Sequence, residues 1–234
     1  MNVIRRFCAA SAAVLLTAGL MACSPPANTG RVVPRAASEG LRSSSGAPTP
    51  TPPTSTTATT TAPPGPQPAE THSGKGNATV PMSWPRRLGF VTFDCPQCSG
   101  HVAVNTENEL IVNDIGPYKG TQWINDMPDD QAKTFTIKAN AAWKLTITDE
   151  SALPVLQPGK PLAGKRDTVV SVPEGVSSVA VTTKGNGNTA VWVHSGDYSD
   201  LPVNQLGDYK GSVPVPGPAY VSLEGDGTWT ITAS

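Results

Sequence analysis

One nine-residue segment of this chain occurs twice. Val112-Asn-Asp-Ile-Gly-Pro-Tyr-Lys-Gly120 returns as Val203-Asn-Gln-Leu-Gly-Asp-Tyr-Lys-Gly211, identical at six of nine positions. Downstream, Phe135, Ile137, Trp143, Leu145 and Ile147 recur as Val221, Leu223, Trp229, Ile231 and Ala233, all at an offset of 86. Upstream, Val102-Ala103-Val104 matches Val179-Ala180-Val181. A sequence that repeats this way must build one structural unit two times over.

The unit is β. Phe135, Ile137 and Ala139 alternate with Thr134, Thr136 and Lys138, and Trp143, Leu145 and Ile147 alternate with Lys144, Thr146 and Thr148. That is the period of half-buried antiparallel strands, and no comparable window repeats at helical spacing. Ala139-Asn140-Ala141 and Gly225-Asp226-Gly227 sit where hairpins must turn, the second supplying glycines suited to positive φ. The expected fold is all-β, two tandem antiparallel β-sandwich-like repeats over 85–152 and 153–234. Units this small bury little surface alone, so the two are expected to share an interface or to complete one two-sheet body.

The copies differ in their loops. Copy one has five more residues between the Tyr-Lys-Gly motif and the Trp hairpin, in the stretch around Asn125 to Asp130. Copy two reads as carrying about fourteen extra residues before its motif, around Gly185 to Asn188 and Ala190 to His194. Loops that vary on a shared scaffold carry function more often than the scaffold does. Trp123, Asp126, Asp129, Asn188 and Trp192 lie in or beside these segments and are the candidates for ligand contact. Trp143 and Trp229, matched and alternating, are expected in the core.

The front of the chain is different. Arg5 and Arg6 precede a mainly apolar run from Phe7 to Leu20, closed by Leu20-Met21-Ala22-Cys23. Residues 1–22 read as a signal peptide. The run is short for a membrane span. Residues 23–84 are rich in Pro, Thr and Ser, with too few apolar groups to offset the entropy of ordering them, and read as a disordered tether. About 60 residues reach roughly 40 Å as a coil and toward ~190 Å as polyproline II. After removal of 1–22 the balance is 15 basic against 18 acidic residues, which excludes a nucleic-acid role and a polybasic grip on lipid.

Leu20 and Ala22 ahead of Cys23 resemble the lipobox of bacterial lipoproteins, which implies lipid, such as palmitate, on Cys23 and a place on the extracytoplasmic face of the cell membrane. Together with the tether, Gly116-Pro-Tyr-Lys-Gly120 and Gly227-Thr-Trp-Thr-Ile231, the chain resembles envelope lipoproteins of actinobacteria. The likeness implies a β-rich surface module of unassigned activity and brings no catalytic residues with it.

Chemistry is sparse. Cys8 leaves with the signal peptide and Cys23 is taken by lipid, so Cys95 and Cys98 remain, and outside the membrane a lone pair usually bonds. Thioredoxin-like exchange needs the first cysteine at a helix N-terminus, and the flanks here read as strands. His101 makes a third zinc donor beside them, but a closed site needs four. The acids from Asp126 to Asp130 lack the EF-hand spacing. No nucleophile elbow, HExxH or P-loop occurs. The sequence therefore points to a displayed binding module needing no cofactor or metal, with cell-wall glycan or an envelope protein as partner. An envelope hydrolase or redox enzyme is the alternative.

Overall fold

The computed structural model describes residues 66–234 apart from 86, 127–130 and 197. The signal segment, Cys23, most of the tether and Asp129 lie outside the described residues. Eight strands form the first half: β1 Glu70–Lys75, β2 Ala78–Pro81, β3 Gly89–Cys95, β4 His101–Asn105, β5 Leu110–Ile115, β6 Tyr118–Ile124, β7 Thr134–Lys138 and β8 Ala142–Thr148. A short 3-10 turn, Glu150–Ala152, leads on to the second half. Its strands are β9 Leu162–Lys165, β10 Thr168–Val172, β11 Ser178–Lys184, β12 Asn188–Ser195, β13 Tyr198–Leu206, β14 Tyr209–Pro214, β15 Ala219–Glu224 and β16 Thr228–Ala233.

Each half is two antiparallel four-stranded sheets. The first half orders them β1-β8-β3-β6 and β2-β7-β4-β5, and the second β9-β16-β11-β14 and β10-β15-β12-β13. Consecutive strands thus alternate between sheets at most steps, the wrapping of an eight-stranded jelly roll, made twice. The all-β reading with two sandwich-like repeats holds.

Pairing registers fix which residues correspond. Phe93 lies opposite Leu145 and Gly120, just as Val181 lies opposite Ile231 and Gly211. Val104 pairs with Ile137 as Val191 pairs with Leu223. β4 therefore corresponds to β12, and the match of Val102-Ala103-Val104 to Val179-Ala180-Val181 is an accident of a short apolar tripeptide. Ala190 to His194 is not an insertion but the counterpart of a strand in the first half. The longer β6–β7 connection stands, nine residues against four between β14 and β15.

The ordered body also starts earlier than composition suggests. β1 and β2 fall inside the segment read as tether to residue 84, because β1 pairs with β8 from Glu70↔Ile147 to Lys75↔Ala142. Its inward positions are Glu70, His72 and Gly74, which give no apolar alternation. Gly74 is required there. A Cβ would come within 2.5 Å of the Trp143 ring, whose Nε1–H donates to the Gly76 carbonyl at 2.8 Å. Gly164 and Trp229 repeat the arrangement, with Nε1–H of Trp229 donating to the Arg166 carbonyl at 2.8 Å.

Apolar inner faces fill each jelly roll. Phe93, Phe135, Trp143, Leu145 and Ile147 lead the first core, and Val181, Val191, Val221, Leu223 and Ile231 the second. Trp143 is buried as expected, whereas Trp229 is only half-buried against its core. Cys95 and Cys98, buried in the first core, stand in disulfide geometry with Cα atoms 5.5 Å apart.

Asp149 ties the chain's entry to the junction between halves. Its carboxylate accepts from the Ser151 hydroxyl, from the Gln67 N–H and from the Ser151 N–H. The Ser151 hydroxyl and the Gln67 N–H, with Arg87 adding a smaller effect, hold its pKa below the ordinary aspartate value of 3.8. A lowered native pKa stabilises the fold above the unfolded value, and that contribution is lost as pH falls below about 3.8 toward the native one. Asp149→Asn should therefore narrow the gap between urea midpoints measured at neutral pH and near pH 3. An unchanged gap would show that Asp149 has no part in acid sensitivity.

Candidate functional site

The two halves meet through a third apolar cluster. Phe90 and Trp123 of the first half pack with Leu153 and Val169, and Leu88, Trp192 and Tyr220 close around them. Trp123 lies 5.8 Å from the His194 ring, and Phe90 meets Tyr220 edge-on at 5.1 Å. Trp123 is 1% exposed, so its place among the candidates for ligand contact is corrected: it is a core residue between the halves. Trp192, half-buried against the same cluster, belongs to that interface too. Both lie on the outer face of a sheet, which in a lone repeat would be solvent; the second repeat covers it.

The other candidates do not join them. Asp126 is half-buried at the start of the β6–β7 connection. Asn188 opens β12 opposite Leu206, and Asp129 lies outside the described residues.

The site the fold does build is an open cleft of about 720 Å³ at another part of the junction. The first half contributes Thr92 and Asp94 of β3, Pro96, and Pro117 to Thr121 of the repeated motif. The second contributes Gly164 to Thr168, the β9–β10 turn, and Trp229 of β16.

The motif's residues explain themselves here. Gly116 takes φ 91° and Gly207 φ 80° at the turn before each Tyr, a conformation open to glycine. Gly120 lies under the Tyr118 ring, where a Cβ would sit 2.7 Å from Cζ, and Gly211 does the same for Tyr209. Gly120 also lets the second half close in, since a Cβ there would stand 3.1 Å from Asp167 Cβ.

Asp167 joins the halves. Its Oδ2 accepts from the Tyr118 hydroxyl at 2.8 Å and its Oδ1 from the Gly225 N–H at 2.9 Å. Its carbonyl accepts from the Thr121 N–H at 3.2 Å. The first-half counterpart, Asn77, accepts from the Ala139 N–H at 3.1 Å within its own half and, among the described residues, makes no bond to the other half. An aspartate offers two acceptor oxygens where an asparagine offers one. Arg166 beside it occupies the place of Gly76 and, like that glycine, has positive φ, 59°. A non-glycine residue there is strained by about 1 kcal/mol or more. Its guanidinium forms an ion pair with Asp114 of the first half.

Within the cleft, Asp94 Oδ2 and Lys119 Nζ form an ion pair at 3.2 Å, with Lys119 largely in solvent. The Thr92 and Thr121 hydroxyls bond each other at 2.8 Å. Sequence reasoning missed these residues. It missed Arg166 and Asp167 too, and the signal that would have found that pair is the change from Gly76-Asn77 to Arg166-Asp167 between otherwise matched copies.

A second hollow of about 340 Å³ lies beside His194, Ser195 and Tyr220. The Ser195 hydroxyl is directed at the carbonyls of Pro216 and Pro218, 2.9 Å from each. Burial, with Glu150 and Asp149 nearby, raises the Tyr220 pKa above its ordinary value. His101 Nε2 bonds Asn113 Oδ1 at 2.8 Å. Among the described residues no three His, Cys, Asp or Glu side chains gather as a metal site, and no helix is long and apolar enough to cross a membrane.

No protein-family model matches the chain, and no curated protein matches it. Among solved structures it is similar to a cupin 2 conserved barrel domain protein from Leptotrichia buccalis, at 11% identity and a TM-score of 0.24, covering 71% of this chain and 83% of that one. It is also similar to a regulatory subunit of a cAMP-independent protein kinase A from Trypanosoma cruzi bound to guanosine, at 7% identity and a TM-score of 0.22, covering 70% and 72%. Likeness at this level adds nothing to the fold that the strand order establishes.

Proposed function

We propose that this protein is an exported lipoprotein, anchored by lipid on Cys23, whose double jelly roll is carried on the Pro/Thr-rich tether and binds an envelope ligand in the cleft between its halves. The observation that carries the reading is the cleft itself. It is open, mixes apolar walls with paired charges, and is formed by residues from both halves. Its size is within the roughly 300–1,000 Å³ usual for ligand sites. Redox exchange fits less well, because both sulfurs of the Cys95–Cys98 pair are buried and Cys95 ends a strand, so nothing there would expose or stabilise a thiolate.

The tether and the lipobox support the location. With Cys23→Ala, the protein should lose palmitate labelling and leave the membrane fraction. Labelling that persists in this variant refutes the anchor. For the site, Thr92→Arg places a long cationic side chain in the cleft from a half-buried position on β3. The secreted chain from Ser24 to Ser234 carrying this change should lose retention on an isolated, insoluble cell-envelope fraction while unfolding at nearly the same temperature as the parent. Retention equal to the parent's would place binding elsewhere.

A further inference from the structure

Resting on that reading, we infer that the cleft takes an uncharged stretch of a polyhydroxylated chain, a neutral glycan, with Asp94 and Lys119 as its hydroxyl-recognising pair. Three alternatives are disfavoured by what lines it. A polyanion needs unspent cations, but Lys119 is paired with Asp94 and Arg166 with Asp114. Of the three cations lining the cleft, Lys165, exposed on the rim, is the one for which the described residues provide no ion pair. A peptide added as an extra strand needs a free sheet edge. β6 is the edge strand of its sheet, but at the cleft its Thr121 N–H is already bonded to the Asp167 carbonyl. A compact apolar ligand would strip water from the Asp94–Lys119 ion pair without replacing the hydrogen bonds the pair still makes to solvent, which is costly.

A sugar chain meets all these groups. Each hydroxyl both donates and accepts, so of two neighbouring hydroxyls one can donate a hydrogen bond to the Asp94 carboxylate and the other accept one from the Lys119 ammonium without separating the pair. The C–H faces of the rings have Pro96, Pro117 and the exposed part of Trp229 to lie against. The cleft's openness suits an internal stretch of polymer.

The test uses the secreted chain from Ser24 to Ser234 and four probes: soluble mannan, soluble galactan, polygalacturonate and a Pro-rich peptide. Binding is measured by calorimetry at low and high salt. At least one neutral glycan should bind, with affinity almost independent of salt. Asp94→Asn and Lys119→Gln should each weaken it about tenfold, the loss of roughly one charge-assisted hydrogen bond, without lowering the unfolding temperature. Salt-sensitive binding of polygalacturonate in preference to the neutral glycans, or capture of the peptide alone, overturns the inference. If no neutral glycan binds but Thr92→Arg still abolishes retention on envelope material, the inference fails and the cleft remains the site. Neutral-glycan binding that survives Thr92→Arg overturns both.

Discussion

Trp123→Ala should destabilise the protein by about 3–5 kcal/mol, as much as removing an aromatic from the centre of either jelly roll. The indole is among the largest fully buried side chains and lies between the halves, against His194, in the cluster with Phe90 and Val169. Its loss leaves a cavity that neither half can close by itself, because the strands on each side are held by their own cores. The form of unfolding should change as well as the midpoint. Trp143→Ala opens the core of one half, whereas Trp123→Ala removes coupling between two halves that keep their cores. Calorimetry of Trp123→Ala should therefore show a broadened or split transition where the parent shows one. A variant that melts like the parent would mean that the indole contributes nothing to the junction.

The junction joins unlike surfaces. Pairing registers place Ser178 and Pro214 where the first half has Phe90 and Trp123. They place Thr79, Asn105 and Thr134 where the second half has Val169, Trp192 and Tyr220. One apolar outer face thus belongs to the β3–β6 side of the first half, and the other to the β10–β15–β12 side of the second. Docking of this head-to-tail kind would propagate if both copies carried both faces. Ser178, Thr79, Asn105 and Thr134, with Pro214, replace the apolar residues at the matched positions and stop it at two. The same asymmetry concentrates the cleft at one junction, since only the second copy has the Arg166-Asp167 turn that reaches the first copy's motif.

Much of this was legible in the sequence, for physical reasons that also explain the failures. β7, β8, β15 and β16 announce themselves because one face is core and the other solvent. β1 does not, because its inward positions include a glycine beneath a tryptophan and two polar residues at a sheet edge. Trp192 looked like part of an insertion because β4 and β12 share little beyond their pairing partners. Trp123 looked exposable because nothing in one repeat shows that another repeat will cover its outer face. The candidate site was hidden for the same reason. Its groups come from β3, β6, β9, β10 and β16, and only the docking of the halves brings them together.

The turn at Gly225-Asp226-Gly227 gives the clearest contrast between the copies. Positive φ is not the reason for its glycines, since neither Gly225 nor Gly227 takes that conformation. Gly227 is instead held against the β11–β12 turn. A Cβ there would fall well inside contact with the Lys184 carbonyl and 2.8 Å from Gly185 Cα. These are backbone atoms that cannot swing aside. Ala141 holds the matching place in the first half, where its carbonyl accepts from the Gly76 N–H at 3.0 Å, as the Gly227 carbonyl accepts from the Arg166 N–H at 2.8 Å. Gly227→Ala should therefore force the two turns apart and cost on the order of 3 kcal/mol, a fall in Tm of roughly 6–12 °C. Ala141→Gly, which adds freedom to the unfolded chain and removes one methyl packed against the first core, should cost only about 1–2 kcal/mol. Because the Gly227 carbonyl anchors Arg166, the first change should also loosen the Arg166–Asp114 and Asp167–Tyr118 contacts and weaken retention on envelope material under conditions where the variant is still folded. Equal melting of the two variants would show that Gly227 is not packed against the Lys184–Gly185 backbone. A stability loss with full retention would show that the β9–β10 turn holds the cleft without Gly227.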